Sequence, residues 1–195
     1  MASKIGFKRL TIRILDKASA TEGTNLFTVE GKTGKGATIS AKINGLSTDP
    51  VKTYGSDVAY YSSRKGVGDV TVDFELLDIP ENVLQKVLGY KDKDGLTLIG
   101  ADTEAPYVSI MLETTLANGN VFAYGFFKGT FSMDEEEVKT LEGKSDGIPS
   151  EKFKFTALAS DSTDYDGCYL AKVAGGTTGD LDKLKAAIGI TGTGA

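Results

Sequence analysis

The sequence has no histidine and no tryptophan, and its 195 residues include a single cysteine, Cys168, and four prolines. Without imidazole, the commonest general base, the commonest metal ligand and every histidine-based catalytic triad are excluded. One cysteine closes no internal disulfide and builds no cysteine-based zinc site. Its expected place is a partly buried thiol. Long apolar runs are also absent. No stretch approaches the ~20 apolar residues of a bilayer span, and the opening Met-Ala-Ser-Lys-Ile-Gly-Phe has no signal-peptide core. There is no Asn-x-Ser/Thr sequon. The expectation is a chain that is cytosolic where it is made. The net charge of −5 argues against a general binder of nucleic-acid backbone.

What is present is glycine, 24 residues, with an apolar fraction of 40%. This composition suits many turns between strands better than a helical bundle. The length allows one domain with a substantial core. The most informative stretch is 67–89. Val70, Val72, Phe74 and Leu76 fall on one face of a strand, and Thr71, Asp73 and Glu75 on the other. The period then changes. Asp78, Pro80 and Glu81 read as a capped helix start, Val83, Leu84, Val87 and Leu88 as its apolar stripe, and Gly89 as its stop. A helix this short must lie on a sheet.

The rest of the chain reads as that sheet. Residues 7–15 alternate as a first strand, 16–25 form a loop, and 26–30 a short strand. Ile39, Ala41 and Ile43 share a face of another strand, which ends near Asn44-Gly45. Residues 46–66 follow neither period and read as a long loop with three tyrosines, Tyr54, Tyr60 and Tyr61, and Arg64. Long loops in compact domains are uncommon and usually functional or disordered, and tyrosines suit contact with a partner. The alternative is that the tyrosines cover the protein's own sheet. Lys91–Gly95 reads as a charged turn before a short apolar run. Asn118-Gly119 marks a hairpin between strands at 107–115 and 121–133. The second arm is apolar on both faces, as for a strand covered on both sides, and Gly125 and Gly129 suggest a bulge or close backbone approach. Residues 134–147 read as a charged loop, 151–159 as a strand, 160–179 as turns, and Asp180 as the cap of a last helix carrying Leu181, Leu184 and Ile188.

Several motifs fail on inspection. Gly31-Lys-Thr-Gly-Lys-Gly-Ala-Thr38 lacks the Lys-Ser/Thr that ends a phosphate loop and has Leu26 in place of the first glycine. The acidic turns at Asp92–Gly95 and Asp164–Gly167 lack the first and last calcium ligands. Asp134-Glu-Glu-Glu137 is a run of mutually repelling carboxylates, not a pair at catalytic spacing. No catalytic constellation, cofactor site or metal site follows from the sequence.

Several segments together carry a family resemblance. Lys4-Ile-Gly-Phe-Lys-Arg-Leu-Thr-Ile-Arg-Ile-Leu-Asp16 resembles the opening of major tail proteins, the tail-tube subunits of long-tailed, non-contractile bacteriophages (siphophages) of Gram-positive hosts. Gly68-Asp-Val-Thr-Val-Asp-Phe74, with Asp78–Tyr90, is similar to that family's strand-into-helix segment. Phe122–Ser132, with Lys152–Leu158, is similar to its later paired strands. The resemblance spans about residues 4–160. Residues 161–195 read as an extension with a short helix packed on the same domain.

The resemblance implies a mainly β fold, a sandwich or barrel with one flanking helix, shared with the ring proteins of type VI secretion. It implies hexameric rings that stack into a tube, with long loops linking ring to ring. DNA and the tape-measure protein would occupy the lumen, and tail terminator and distal tail proteins would meet the tube ends. The subunit would be made in the host cytoplasm and reside in the virion tail. Beside this, charge logic makes Asp73 and Glu75 candidates for a lumen lining that repels phosphates. Tyr54, Tyr60, Tyr61 and Arg64 are candidates for subunit contact. Competing classes are another phage or secretion part on the same fold, such as a head decoration protein, and a carbohydrate-binding β-sandwich. The latter usually presents an aromatic platform, often with Trp, whereas here Tyr60-Tyr61 is the only tyrosine pair.

Overall fold

The computed structural model describes residues 3–136 and 150–191. Its principal unit is one antiparallel sheet. The long strand β1 (Lys4–Ile14) pairs with β2 (Leu26–Val29) on one edge and with β9 (Val108–Leu116) on the other. From β9 the sheet runs through β10 (Val121–Ser132), β11 (Glu151–Leu158) and β6 (Thr71–Asp78) to β3 (Ala37–Asn44). It curls until its ends nearly meet: Thr38 of β3 donates to the carbonyl of Phe7 of β1 at 2.7 Å. The result is a barrel-like sandwich.

The alternation read from the sequence sets its inside. Leu10 and Ile12 of β1, Val72, Phe74 and Leu76 of β6, and Phe153 and Phe155 of β11 are buried in one core. Helix α1 (Glu81–Leu88) contributes Val83, Val87 and Leu88 to the same core. Gly89 ends the helix in the left-handed conformation, as expected. The start differs from expectation. Pro80 occupies the cap position and its carbonyl accepts from the Val83 amide at 2.8 Å. Asp78 is the last residue of β6, opposite Ala37, so strand pairing and not helix capping fixes its backbone.

β10 is covered on both faces, as its two-sided apolar pattern requires. Its first half pairs with β12 (Leu170–Ala174) and its second half with β11 along the same edge. Gly129 lies where the register with β9 shifts, and a Cβ there would sit 2.3 Å from Phe155 Cζ. The backbone therefore approaches too closely for any side chain. The outer face of β9 and β10 is covered by α2 (Thr178–Ala187) and the residues just after it, with Leu184, Ile188 and Ile190 against Met111, Ala123 and Phe127. Gly125 makes room for this contact, since its Cβ would meet Leu184 Cδ1 at 2.9 Å. The cap of α2 is Thr177, whose amide and hydroxyl both donate to Asp180, so Asp180 closes the capping box instead of starting it.

Five further expectations are corrected. Residues 46–66 are not an irregular loop, since they contain the hairpin β4 (Val51–Gly55) and β5 (Val58–Ser63). Lys91–Ile99 likewise holds a hairpin, β7 (Lys91–Lys93) and β8 (Leu96–Leu98). Ile39 leaves the inner face because the β3–β6 register shifts between Thr38 and Ser40. Cys168 is exposed, just before β12, a strand in the segment read as turns. The charged loop read at 134–147 lies outside the described residues from 137 onward.

Candidate assembly surfaces

The hairpin β4–β5 projects beyond the body of the protein. Its turn is Ser56-Asp57, both with positive φ (51° and 64°), the geometry of the tight hairpin turn that matches strand twist. Its stem is held by Gly68 donating to the Gly45 carbonyl at 2.9 Å and Thr48 to the Lys65 carbonyl at 3.2 Å. Tyr54, Tyr60 and Tyr61 are 67%, 85% and 60% exposed, and Val51 and Val58 are exposed as well. The tyrosines therefore do not cover the protein's own sheet. The pairing skips Tyr60, between Tyr61 opposite Thr53 and Ala59 opposite Tyr54. This bulge is what obscured the strand alternation in the sequence. Arg64 is exposed at the base of the same arm and makes no ion pair among the described residues.

Asp73 and Glu75 stand on the outer face of the β3–β6–β11 sheet, which α2 leaves bare. Asp73 accepts from Asn44 Nδ2 at 2.8 Å, and Glu75 from the Ser150 hydroxyl at 2.6 Å. Strand register places a cation on both sides of Asp73, Lys42 on β3 and Lys154 on β11, and sets Lys152 opposite Glu75. These groups, with Asp134 and Glu135, line a shallow groove of about 560 Å³. The face thus alternates in sign. The acids were readable from one strand, but the lysines beside them depend on pairing register, which no single segment reveals.

On the opposite outer face, Arg9 bridges two carboxylates, Glu30 at 2.9 Å and Glu113 at 3.5 Å. Glu30 also accepts from Lys32 at 2.7 Å. The hydrogen bond from Lys32, partly opposed by desolvation and assisted by Arg9, holds the Glu30 carboxyl below its usual range. Among the described residues, no three His, Cys, Asp or Glu side chains gather as a metal site.

The surfaces that distinguish this molecule are displayed on arms and on a sheet face left open among the described residues, as in a protein built for contact. That is the class of a structural scaffold component. The chain belongs to the phage tail tube protein family, whose model matches residues 1–176, all of the sheet but not α2. No curated protein matches the chain. The family is one of structural tail proteins and not of enzymes, so the protein is a component of the virion tail. Among the described residues no helix is long and apolar enough to cross a membrane.

Proposed function

We propose that this major tail protein assembles into hexameric rings that stack into the tail tube, through which the genome passes to the host. The subunit is made in the host cytoplasm, with residues 1–160 as the tube-building unit and 161–195 as an extension laid over it. The tape-measure protein and then DNA occupy the lumen, and terminator and distal tail proteins close the ends. One observation carries this reading within the family: an arm of two strands with Tyr54, Tyr60 and Tyr61 on display. A two-stranded hairpin in water is marginal by itself, and exposed aromatic area of this kind favours burial against another chain. Tyr54, Tyr60, Tyr61 and Arg64 therefore serve subunit contact.

Asp73 and Glu75 line the lumen. The outer sheet face on which they stand, uncovered among the described residues, lies across the barrel from the face covered by α2, which supports a bore on the former side and the tube exterior on the latter. With Lys42, Lys152 and Lys154 beside them, the acids give a surface of alternating sign, on which a polyanion finds no continuous basic track. Negative-stain imaging with mass measurement in solution tests the proposal. Stacked rings of six are expected, and a protein that stays monomeric at high concentration and is missing from virions would refute it.

A further inference from the structure

The chain has two Asn-Gly dipeptides, Asn44-Gly45 and Asn118-Gly119. An asparagine before glycine is open to attack on its own side chain, because glycine leaves the following amide nitrogen unscreened and free to turn. The fold treats the two dipeptides differently.

Asn118-Gly119 is the exposed tip of the β9–β10 hairpin. The Asn118 side chain folds forward along the chain, and its Oδ1 accepts from the Asn120 amide at 3.1 Å. In an Asx turn the side-chain carbonyl reaches the amide two residues on, so its carbon lies near the amide between them, here Gly119 N. The Asn120 amide has a second consequence. It donates to the oxygen on which negative charge collects if Gly119 N adds to Cγ, as a backbone amide does in an oxyanion hole. No atom lies within 4 Å of the place where a Gly119 side chain would stand, so nothing blocks the approach. Gly119 itself donates to the Leu116 carbonyl at 2.8 Å. That bond lies in an exposed turn, which opens by local fluctuation.

Asn44-Gly45 is held shut. Its Asn44 ends β3 opposite Thr71, and Asn44 Nδ2 donates to the Asp73 carboxylate at 2.8 Å, which ties the side chain across the strand pair. Gly45 packs on the backbone of Asp69, since a Cβ there would lie 2.0 Å from the Asp69 carbonyl oxygen. Its own carbonyl accepts from Gly68 at 2.9 Å. Attack at this dipeptide requires Asn44 to leave a charged partner and Gly45 to turn in filled space.

We propose that Asn118 is a site of spontaneous covalent modification, converted through a cyclic succinimide to aspartate and isoaspartate. The bond from Gly119 N to Asn118 Cγ forms as the bond from Cγ to Nδ2 breaks. The Gly119 amide proton passes to hydroxide, and Nδ2 takes a proton from water and leaves as ammonia. Water then opens the ring at either carbonyl, and no oxidant or cofactor takes part. One opening gives aspartate, and the other gives isoaspartate, in which the main chain runs through the side-chain carbon. Either product places a negative charge on a tip, residues 117–120, that carries none. Isoaspartate also lengthens a turn closed by Leu116 N donating to the Asn120 carbonyl at 2.8 Å. Beside it, Ala117 N donates to the Ser3 carbonyl at 2.8 Å and ties down the start of β1. The modification therefore loosens the N-terminal end of β1, whether or not the subunit is assembled.

The test is ageing of the purified full-length protein in mildly alkaline, heavy-oxygen water, followed by peptide mapping with mass spectrometry. The Asn118 peptide is expected to give two products, each heavier by the difference between an amide and an acid and each carrying the oxygen label. Their rate of formation rises with hydroxide concentration. Asn44 should react about tenfold or more slowly, because its side chain must first leave a hydrogen bond to a charged group. In urea the two dipeptides should react at similar rates, which assigns the selection to the fold. Asn118→Gln, which would have to close a larger ring, should abolish the reaction at the tip. Amide exchange of the aged protein should be faster at Ala117 and at the start of β1, and aged Asn118→Gln protein should keep its protection. An Asn118 that stays intact, or that reacts no faster than Asn44 in the folded protein, overturns the proposal. Exchange unchanged by ageing overturns the loosening of β1.

Discussion

Arg13 on β1 donates from Nη1 to the carbonyl of Gly189 at 2.7 Å, joining residues 176 positions apart in the chain. The same guanidinium reaches the Ala18 carbonyl and is itself buried. A cation at the C-terminal end of a helix satisfies carbonyls that the helix leaves unpaired. This contact latches α2, the element beyond the family match, onto the sheet. Arg13→Met is expected to cost about 1.5–3 kcal/mol, the range for a hydrogen bond to a charged group. Urea unfolding measures the loss, and amide exchange should speed up first in α2. Unchanged protection of α2 would show that the apolar contacts hold it alone.

The two glycines of β10 differ in what surrounds them. At Gly129 a new Cβ meets the Phe155 ring and, at 2.4 Å, the Thr156 carbonyl. Backbone cannot step aside, so Gly129→Ala is expected to destabilise by about 1–3 kcal/mol or somewhat more. At Gly125 the obstacles are the methyl ends of Leu184 and Ile188, and Gly125→Ala should loosen α2 with a smaller loss. Denaturant melts of both variants check the order.

Glu151 supplies a pH dependence whose sign is fixed. Its pKa is raised in the folded state, by partial burial first and then by Asp78, Glu136 and Glu81. The folded state therefore binds the proton more readily than the unfolded state. Ionised above its raised pKa, the carboxylate opposes folding, and that cost disappears as pH falls through the carboxylate range. Glu151→Gln should be more stable than the parent at neutral pH, and the difference should close below about pH 4. Melts at both pH values decide it, and a difference that grows in acid contradicts the assignment.

The arm should matter to assembly and not to folding. Replacing residues 51–63 by a short Gly-Ser turn removes side chains that the core does not use, so the melting temperature should hold while tubes are lost. On the bare face, Asp73→Lys with Glu75→Lys turns the alternating pattern into a basic one, which is expected to slow DNA delivery. Unchanged delivery in a complemented phage would move the lumen to another face.

The sheet was legible in the sequence wherever one strand face is buried and the other wet, as in Val72-Asp73-Phe74-Glu75-Leu76. The hairpin at Asn118-Gly119 was legible from its turn. The arm was not, because a hairpin with no buried face has no alternation to show, and the bulge at Tyr60 breaks what remains. Its turn, Ser56-Asp57, also lacks the glycine that marks Asp94-Gly95. β12 was missed because Ala171 and Ala174 give it little apolar contrast, and its pairing with β10 is set by tertiary contact. Asp73 and Glu75 were found as a wet face, but their lysine neighbours come from strands distant in the sequence.

The most direct test of the account is electron microscopy of the purified full-length protein, paired with mass measurement across a concentration series. The account predicts hollow tubes of stacked hexameric rings whose length grows with concentration and which fall apart into rings when the 51–63 arm is removed. A particle that remains a monomer at every concentration, or tubes indifferent to loss of the arm, would contradict it.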